Sequence, residues 1–447
     1  MKITVVGLGK LGSPLAAVLA NGGHEVIGVD IEPRAVALLA AGQAPVVEPG
    51  LQAMIDANRA RLSATTDIAE AVAHSDATYV IVPTPTAADG TFTNEFVLRA
   101  VERVGVGLAR SERYHVVNIT STVMPGSTGG AIAHSLEATS GRVVGHDVGL
   151  CYGPEFIALG SVIHDMLHPD VVLIGESDPR AGQVMADIAL SVVAGTPAVR
   201  RMNLVNAEMV KISINTYVTT KISFSNMLAD LCERIPGADV DVVTDAMGHD
   251  VRVGHRYLRG ATGYGGPCFP RDNVAFAALA NTVGANASLA QATHSTNLYQ
   301  VDRLETLVRR VMVDGIVGVL GLAYKPATSV IEQSQGVGLA LKLSGTNSVV
   351  VHDPLAGPAA RTAIGDQVEV IDDLRTIVSA ADTIVITTPD PVYRDALPAL
   401  FASVATPPRC VVDCWRLFRP GQLAGARLVH LGRVDDPTPA AAATATV

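Results

Sequence analysis

Aromatic side chains are scarce here: Phe, Trp and Tyr make up only 4% of 447 residues. Platforms for single-stranded nucleic acid are built from stacked rings, so that class is disfavoured. Positive charge is short as well. Lys and Arg number 33 against 43 Asp and Glu, a formal net charge of −10. Such a chain repels polyanions, which argues against nucleic-acid or membrane-surface binding. Cysteine is sparse, at positions 151, 232, 268, 410 and 414. The odd count and irregular spacing imply no disulfide framework, and a reducing cytoplasm is the expected compartment. Cys410 and Cys414 alone do not make a four-ligand zinc site, and no metal site is expected. No apolar run reaches membrane-spanning length, and Met1-Lys2 leads into a strand pattern without a secretory cleavage signal.

What the chain does have is small and turn-forming residues, 41 Gly and 25 Pro within 48% hydrophobic content. That composition suits an α/β protein, and the length exceeds one ordinary core. The apolar run Ile3-Thr4-Val5-Val6 enters Gly7-Leu8-Gly9-Lys10-Leu11-Gly12 and an Ala/Leu helix; a second strand pattern ends at Asp30. This is the dinucleotide-binding fingerprint in its required strand–turn–helix–strand context. Gly7 makes the turn, Gly9 lets backbone approach a pyrophosphate, and Gly12 packs helix on strand, with Lys10 and Leu11 completing the loop. Asp30 suits the ribose hydroxyls and repels a 2′-phosphate, so NAD is expected over NADP. Strand patterns at 78–82 and 116–120 run into Pro83-Thr84-Pro85 and Ser121-Thr122. Ligands bind at such carboxyl ends, making Pro83, Thr84 and Thr122 candidates to line the cofactor site. Residues that merely end a strand would look the same.

A helical pattern over 203–234 places Val210, Ile214, Val218 and Ile222 at helical spacing. It reads as a spine joining domains and pairing protomers, with Lys211 and Asn215 one turn apart on one face. Beyond Asp314 a second α/β unit is expected, with strands at 316–321, 348–353, 383–388 and, last, 411–413, presenting Trp415 and Arg416. Ala380-Ala381-Asp382 echoes Ser75-Asp76-Ala77 in the first unit, but no G-x-G-x-x-G is present. A nucleotide there is therefore expected to bind differently.

Between these units lies Gly263-Tyr264-Gly265-Gly266-Pro267-Cys268-Phe269-Pro270-Arg271-Asp272. Pro270 suits a first helical turn, which puts Cys268 at the positive end of a helix beside Arg271, a setting that favours thiolate. A nicotinamide enzyme needs no nucleophile to turn an alcohol into an aldehyde. Carrying the aldehyde on to an acid gains from one, through a thiohemiacetal and a thioester. The expectation is a four-electron oxidation.

With the fingerprint at 7–12, Glu48-Pro49-Gly50-Leu51, Val82-Pro83-Thr84-Pro85, Pro154-Glu155-Phe156, the Lys211 helix, the Cys268 segment and Gly321-Leu322-Ala323-Tyr324-Lys325-Pro326, the chain resembles the UDP-glucose/GDP-mannose 6-dehydrogenase family over residues 1–430. The resemblance implies two Rossmann-like, doubly wound parallel-sheet domains joined by a long central helix. The divisions expected are an NAD-binding domain at 1–200, a central dimerisation domain at 201–305, a nucleotide-sugar domain at 306–433 and a disordered tail at 434–447. It implies oxidation of the C6 hydroxyl of a nucleotide sugar to a uronic acid, with two NAD and one water. Cys268 would be the nucleophile, Lys211 and Asn215 oxyanion donors, and Asp272 and Glu155 would serve hydrolysis and proton transfer. Thr122 would orient a water, and Thr122 and Glu155 would also face the cofactor. Phe156, Lys211, Arg252, Tyr257, Gly265, Lys325 and Arg416 would hold substrate, Arg252 from a neighbouring protomer, so a homodimer or larger assembly is implied.

The chain departs from the family pattern at Pro267 where Ser is usual, Arg271 where Lys is and Gly153 where Asn is, in Phe156-Ile157-Ala158-Leu159-Gly160 where an Arg/Lys-Glu pair is common, and in 328–334, which lacks the usual acidic pair and arginine. Cys-Phe-Pro with a basic residue and Asp resembles UDP-glucose enzymes, whereas Ser121-Thr122-Val123-Met124-Pro125-Gly126 resembles the GDP-mannose branch. UDP-glucose is the favoured substrate and GDP-mannose or another nucleotide hexose the alternative. A two-electron hydroxyacid dehydrogenase would leave Cys268 and the second nucleotide unit idle. A non-catalytic nucleotide-sugar sensor would be expected to lack Lys211, Asn215, Cys268 and Asp272.

Overall fold

Short runs of Val, Ile and Ala, too apolar for a half-exposed strand, form the interior of two largely parallel sheets. A computed structural model describes residues 1–434, so the expected tail lies outside the described residues from position 435 onward. Contacts divide the chain into two units, Met1–Ile214 and a second beginning at Asn215.

The first unit contains β1 (Lys2–Val6), β2 (Glu25–Val29), β3 (Leu62–Thr65), β4 (Ala77–Val80), β5 (His115–Ile119), β6 (Val148–Tyr152), β7 (Val171–Glu176) and β8 (Ala198–Asn203). They lie in the order β3-β2-β1-β4-β5-β6-β7-β8. Pairing is parallel from β3 to β6, antiparallel between β6 and β7, and parallel again between β7 and β8. Chain direction across the sheet reverses between β1 and β4, the switch point at which open α/β sheets leave a crevice. One face of the sheet buries Ile3, Val5 and Leu19, the other Val6, Val80 and Val104.

The second unit's sheet has β9 (Val317–Leu320), β10 (Val349–His352), β11 (Glu369–Val370), β12 (Thr383–Ile386), β13 (Cys410–Asp413) and β14 (Arg427–His430). Its order is β11-β10-β9-β12-β13-β14, all parallel. The strand at 411–413 is thus not the last one, as the sequence suggested. Only Leu428 and Val429 are apolar in β14, too little pattern to read, and its place comes from pairing with β13.

The expected spine is the helix Leu204–Cys232, 29 residues long, which at 1.5 Å per residue spans about 43 Å. The division between units falls within it, so the segment 201–305 contributes to both. Helices Phe269–Thr282 and Ser288–Val311 follow in the second unit. Among the described residues no helix is long and apolar enough to cross a membrane.

The second unit lacks the glycine fingerprint in sequence yet repeats its packing. Gly7 and Gly321 end β1 and β9 with φ of 105° and 104°, a conformation that favours glycine. A Cβ on Gly12 would lie 1.8 Å from the Gly7 carbonyl oxygen, and one on Gly336 would lie 2.0 Å from that of Gly321. Asp30 and Asp353 likewise accept from the Leu8 and Leu322 amides at 2.6 and 2.8 Å. The same junction of strand and helix is made twice, with a much longer loop in the second copy.

Candidate active site

In the first unit the expected cofactor residues gather at the carboxyl ends of adjacent strands. Gly7 follows β1, Asp30 follows β2, Pro83 and Thr84 lie beyond β4, Thr122 beyond β5 and Glu155 beyond β6. Thr84 Oγ1 donates to the Thr122 carbonyl at 2.7 Å, and the Val82 amide donates to Ser121 Oγ at 2.9 Å, so the β4 and β5 ends are tied together. Lys10 is exposed.

Lys211 comes from the long helix. Its Nζ donates to the Glu155 carbonyl at 2.7 Å and sits 4.8 Å from the centre of the Phe156 ring. Burial pushes the Glu155 carboxyl up to about 7, against the opposing pull of the Lys211 charge. A carboxyl poised there can both take and give a proton near neutrality.

Two residues outside the expected set shape this half. Glu208, fully buried on the same helix three positions before Lys211, accepts from the Gly126 and Thr128 amides at 2.6 and 2.8 Å. It pins the loop that leaves Thr122. An acid inside an otherwise apolar helical stretch was the signal available in the sequence. Asn118 is the other. A Cβ at Gly153 would lie 2.7 Å from its Oδ1, so the Asn118 amide fills the room a side chain at 153 would need.

In the second unit Cys268 is the N-cap of helix Phe269–Thr282 and is exposed, whereas the other four cysteines are buried. Pro270 stands in the first turn. Asp272 is 1% exposed. Its Oδ2 accepts from Asn215 Nδ2 at 2.6 Å, and its Oδ1 from Arg271 Nε and Nη2 at 3.2 Å each. A buried carboxylate is tolerated when it is paired and hydrogen-bonded in this way, and a helix N-terminus adds a favourable field.

The thiol segment rests on the long loop that follows β9. The Gly266 amide donates to the Glu332 carbonyl at 2.8 Å. A Cβ on Gly265 would lie 2.5 Å from the Gln333 carbonyl oxygen, and one on Gly266 would lie 2.6 Å from the Tyr324 ring. Burial, with Cys268, Glu332 and Tyr257 nearby, pushes the Tyr324 phenol well up. Phe269 meets the rings of Tyr257 and Tyr264 edge-on, with centres 6.2 and 6.3 Å apart. Among the described residues, the four non-glycine residues with positive φ, Tyr257, Ala327, Gln333 and Arg416, all belong to this unit. Such backbone costs about 1–3 kcal/mol per residue and clusters where function holds it.

Models of the UDP-glucose/GDP-mannose dehydrogenase family match its NAD binding domain at residues 1–191, its central domain at 205–299 and its UDP binding domain at 318–420. UDP-glucose 6-dehydrogenase AglM of Haloferax volcanii is 36% identical over 394 residues, covering 87% of this chain and 91% of that protein. The chain belongs to the UDP-glucose/GDP-mannose dehydrogenase family. A GDP-mannose 6-dehydrogenase of Pseudomonas putida is 33% identical, covering 77% of this chain and 78% of its own length. The solved UDP-glucose dehydrogenase of Pyrobaculum islandicum superimposes with a TM-score of 0.87 at 33% identity, covering 96% of this chain and 97% of its own.

As a family member the protein is an oxidoreductase whose cofactor is NAD. The residues present fit that group: Gly7 and Gly12 pack as the fingerprint demands, while a Cβ on Gly9 would have nothing within 4 Å, leaving the loop face clear. Of the expected substrate residues, Lys325 is half-buried in the loop after β9. Arg252 is 85% exposed and bonded to Asp250. The Arg416 side chain is 3% exposed, with its guanidinium on Asp241 at 2.6 and 2.9 Å and on the Gly260 and Leu431 carbonyls at 2.6 and 2.9 Å. In this structure those donors hold the helix Val240–Gly248 to the end of the second sheet.

Proposed function

We propose that the protein oxidises the C6 hydroxyl of UDP-glucose to the carboxylate of UDP-glucuronate through a covalent adduct on Cys268. The observation that carries this reading is the exposed thiol capping a helix whose first turn holds a buried Asp272 clamped by Asn215 and Arg271. A simple alcohol dehydrogenase has no use for that arrangement.

Gly7, Gly9, Lys10, Leu11, Gly12 and Asp30, with Pro83, Thr84 and Thr122 alongside, would hold NAD, which would supply the hydride acceptor for each of two oxidations. The first oxidation yields the aldehyde and releases the hydroxyl proton, for which we assign the Glu155 carboxylate as acceptor. The Cys268 thiolate then adds to the aldehyde carbon, forming a C–S bond and an oxyanion. Lys211 supplies a positive donor for that oxygen, and Asn215 a second N–H, since an amide carries two and Asp272 takes one. Loss of the second hydride leaves a thioester. Water attacks its carbonyl as Asp272 or Glu155 takes a proton, the C–S bond breaks, and the thiolate returns as the acid departs. The sum is one alcohol, one water and two NAD⁺ converted to one carboxylate, two NADH and three protons.

UDP-glucose is favoured because relatives of that activity reach 36% identity, against 33% for GDP-mannose enzymes, and because the Cys-Phe-Pro segment follows that pattern. Lys325 and Phe156, with Tyr257 and Gly265, are the substrate contacts we assign. Arg416 would join them only by giving up one of its present acceptors. A homodimer is supported by Tyr217, Phe224 and Leu231, exposed at 62%, 42% and 48% at seven-residue spacing along the long helix. A second copy would cover that stripe and bring its Arg252.

The test is to incubate the protein with NAD⁺ and UDP-, dTDP- or GDP-hexoses and count NADH per sugar. Two NADH with UDP-glucose alone is the expected result. One NADH with accumulating aldehyde would overturn the thiol mechanism. Asp272→Asn should stall as a sugar adduct on Cys268, visible as a mass increase of the intact protein.

A further inference from the structure

Away from these residues, three side chains converge at the end of helix Val240–Gly248. Asp245 lies in its last turn, His249 caps it one turn on, and His255 returns from the following loop. His249 Nε2 is 3.8 Å from Asp245 Oδ2, and His255 Nδ1 is 3.8 Å from Asp245 Oδ1. The three ligand atoms all lie within 4.8 Å of one another.

These separations are too long for hydrogen bonds, so the three exposed side chains lie close together without bonding one another. Zinc bonds of about 2.0–2.2 Å in a tetrahedron put neighbouring ligand atoms about 3.3–3.5 Å apart. The two His–Asp pairs at 3.8 Å, and all three atoms within 4.8 Å, lie somewhat wider than that spacing. Two imidazole nitrogens with one carboxylate suit zinc and its neighbours, whereas calcium and magnesium call for oxygen throughout.

The surroundings hold the third ligand in place. A Cβ on Gly248 would lie 2.2 Å from His255 Nδ1, so glycine at that position is what lets the imidazole lie against the helix end. The two rings meet edge-on, 4.7 Å between centres at 88°. Lys221 Nζ donates to the Val253 and Gly254 carbonyls at 3.0 and 3.2 Å, fixing the loop just before His255.

We propose that Asp245, His249 and His255 form a three-ligand site for a divalent transition metal of the zinc class, which pins the 250–258 loop to the helix end. The sequence offered no such expectation, because His255 joins the other two only through the turn at Gly254. The site is distinct from the Cys268 segment and does not depend on the reaction proposed above.

Titrating zinc chloride into the full chain by calorimetry, without nucleotide, tests it. The expected result is one equivalent bound, at least tenfold more weakly in His255→Gln and in Asp245→Asn, and unchanged in Cys268→Ser. Zinc should also slow trypsin cleavage after Arg252 at least threefold in the parent protein and not in His255→Gln. Absence of binding, equal binding in the two ligand variants, or loss only in Cys268→Ser would overturn the site. Binding without protection of Arg252 would overturn the pinning.

Discussion

The two sheets of this chain solve the same local problem with different loops. In the first unit the glycines that join strand to helix are Gly7 and Gly12, with four residues between them; in the second they are Gly321 and Gly336, with fourteen. Both pairs make the same close approach, and both are steadied by an aspartate at the end of the next strand, Asp30 or Asp353. What the short loop leaves clear is a face open to a phosphate, as the free space at Gly9 shows. What the long loop supplies is support. Tyr324, Glu332 and Gln333 lie against Gly265 and Gly266 and so hold the backbone that presents Cys268. One copy of the junction carries the dinucleotide fingerprint, and the other braces the segment that presents Cys268.

If that separation of roles is right, Cys268→Ser should lower acid formation on the order of a thousandfold or more, since a covalent route is lost outright. NAD affinity, set by the first unit, should stay within about twofold. Because Cys268 is exposed, the thermal midpoint should not move. Uronic acid assay, NAD titration and calorimetry together check this, and a parallel loss of NAD binding would break the division.

The bracing side is probed by Gly336→Ala. A methyl group there would stand 2.0 Å from the Gly321 carbonyl oxygen, and backbone cannot step aside cheaply. Overpacking of this kind costs about 3 kcal/mol, roughly a hundredfold in the folding equilibrium. Denaturant unfolding should report it while NAD affinity stays unchanged. Unaltered stability would mean that the second junction is slack.

Much of this could be read in advance, and the residues say why. Gly7, Gly9, Gly12 and Asp30 act through contacts within one βαβ turn, so their spacing is visible in sequence. Cys268, Pro270 and Asp272 likewise lie within a single helical turn. The junction Gly321/Gly336 was hidden because the fingerprint depends on a fixed loop length that the second unit does not keep. Strand β14 was hidden because only two apolar residues mark it. The clamp of Glu208 on Gly126 and Thr128 and the ring of acceptors around Arg416 join residues scores of positions apart, which no local pattern records.

Within the first unit, the environment of Glu155 brings a carboxyl group into the neutral range. Burial raises its carboxyl from 4.5 to about 7, so the folded state favours the protonated form. It follows that native stability falls as pH rises from about 4.5 through 7, and that Glu155→Gln removes this decline. Activity should run the other way. A proton acceptor works as the carboxylate, so kcat should rise through pH 7, and Glu155→Gln should flatten that limb with a loss of about thirtyfold at pH 8. A pH profile that kept its limb in the variant would assign the titration to another group.

The smallest effect expected is at Gly9, and it isolates the cofactor side of the comparison. A Cβ there meets nothing within 4 Å, in contrast to 1.8 Å at Gly12 and 2.0 Å at Gly336. Gly9→Ala should therefore fold with an unchanged thermal midpoint. Its methyl group would project into the space that a pyrophosphate backbone must approach, and NAD affinity should fall about tenfold with kcat at saturating cofactor nearly intact. Tight NAD binding in this variant would mean that the open face at Gly9 is not where the phosphates lie, and the contrast drawn between the short and long loops would lose its functional half.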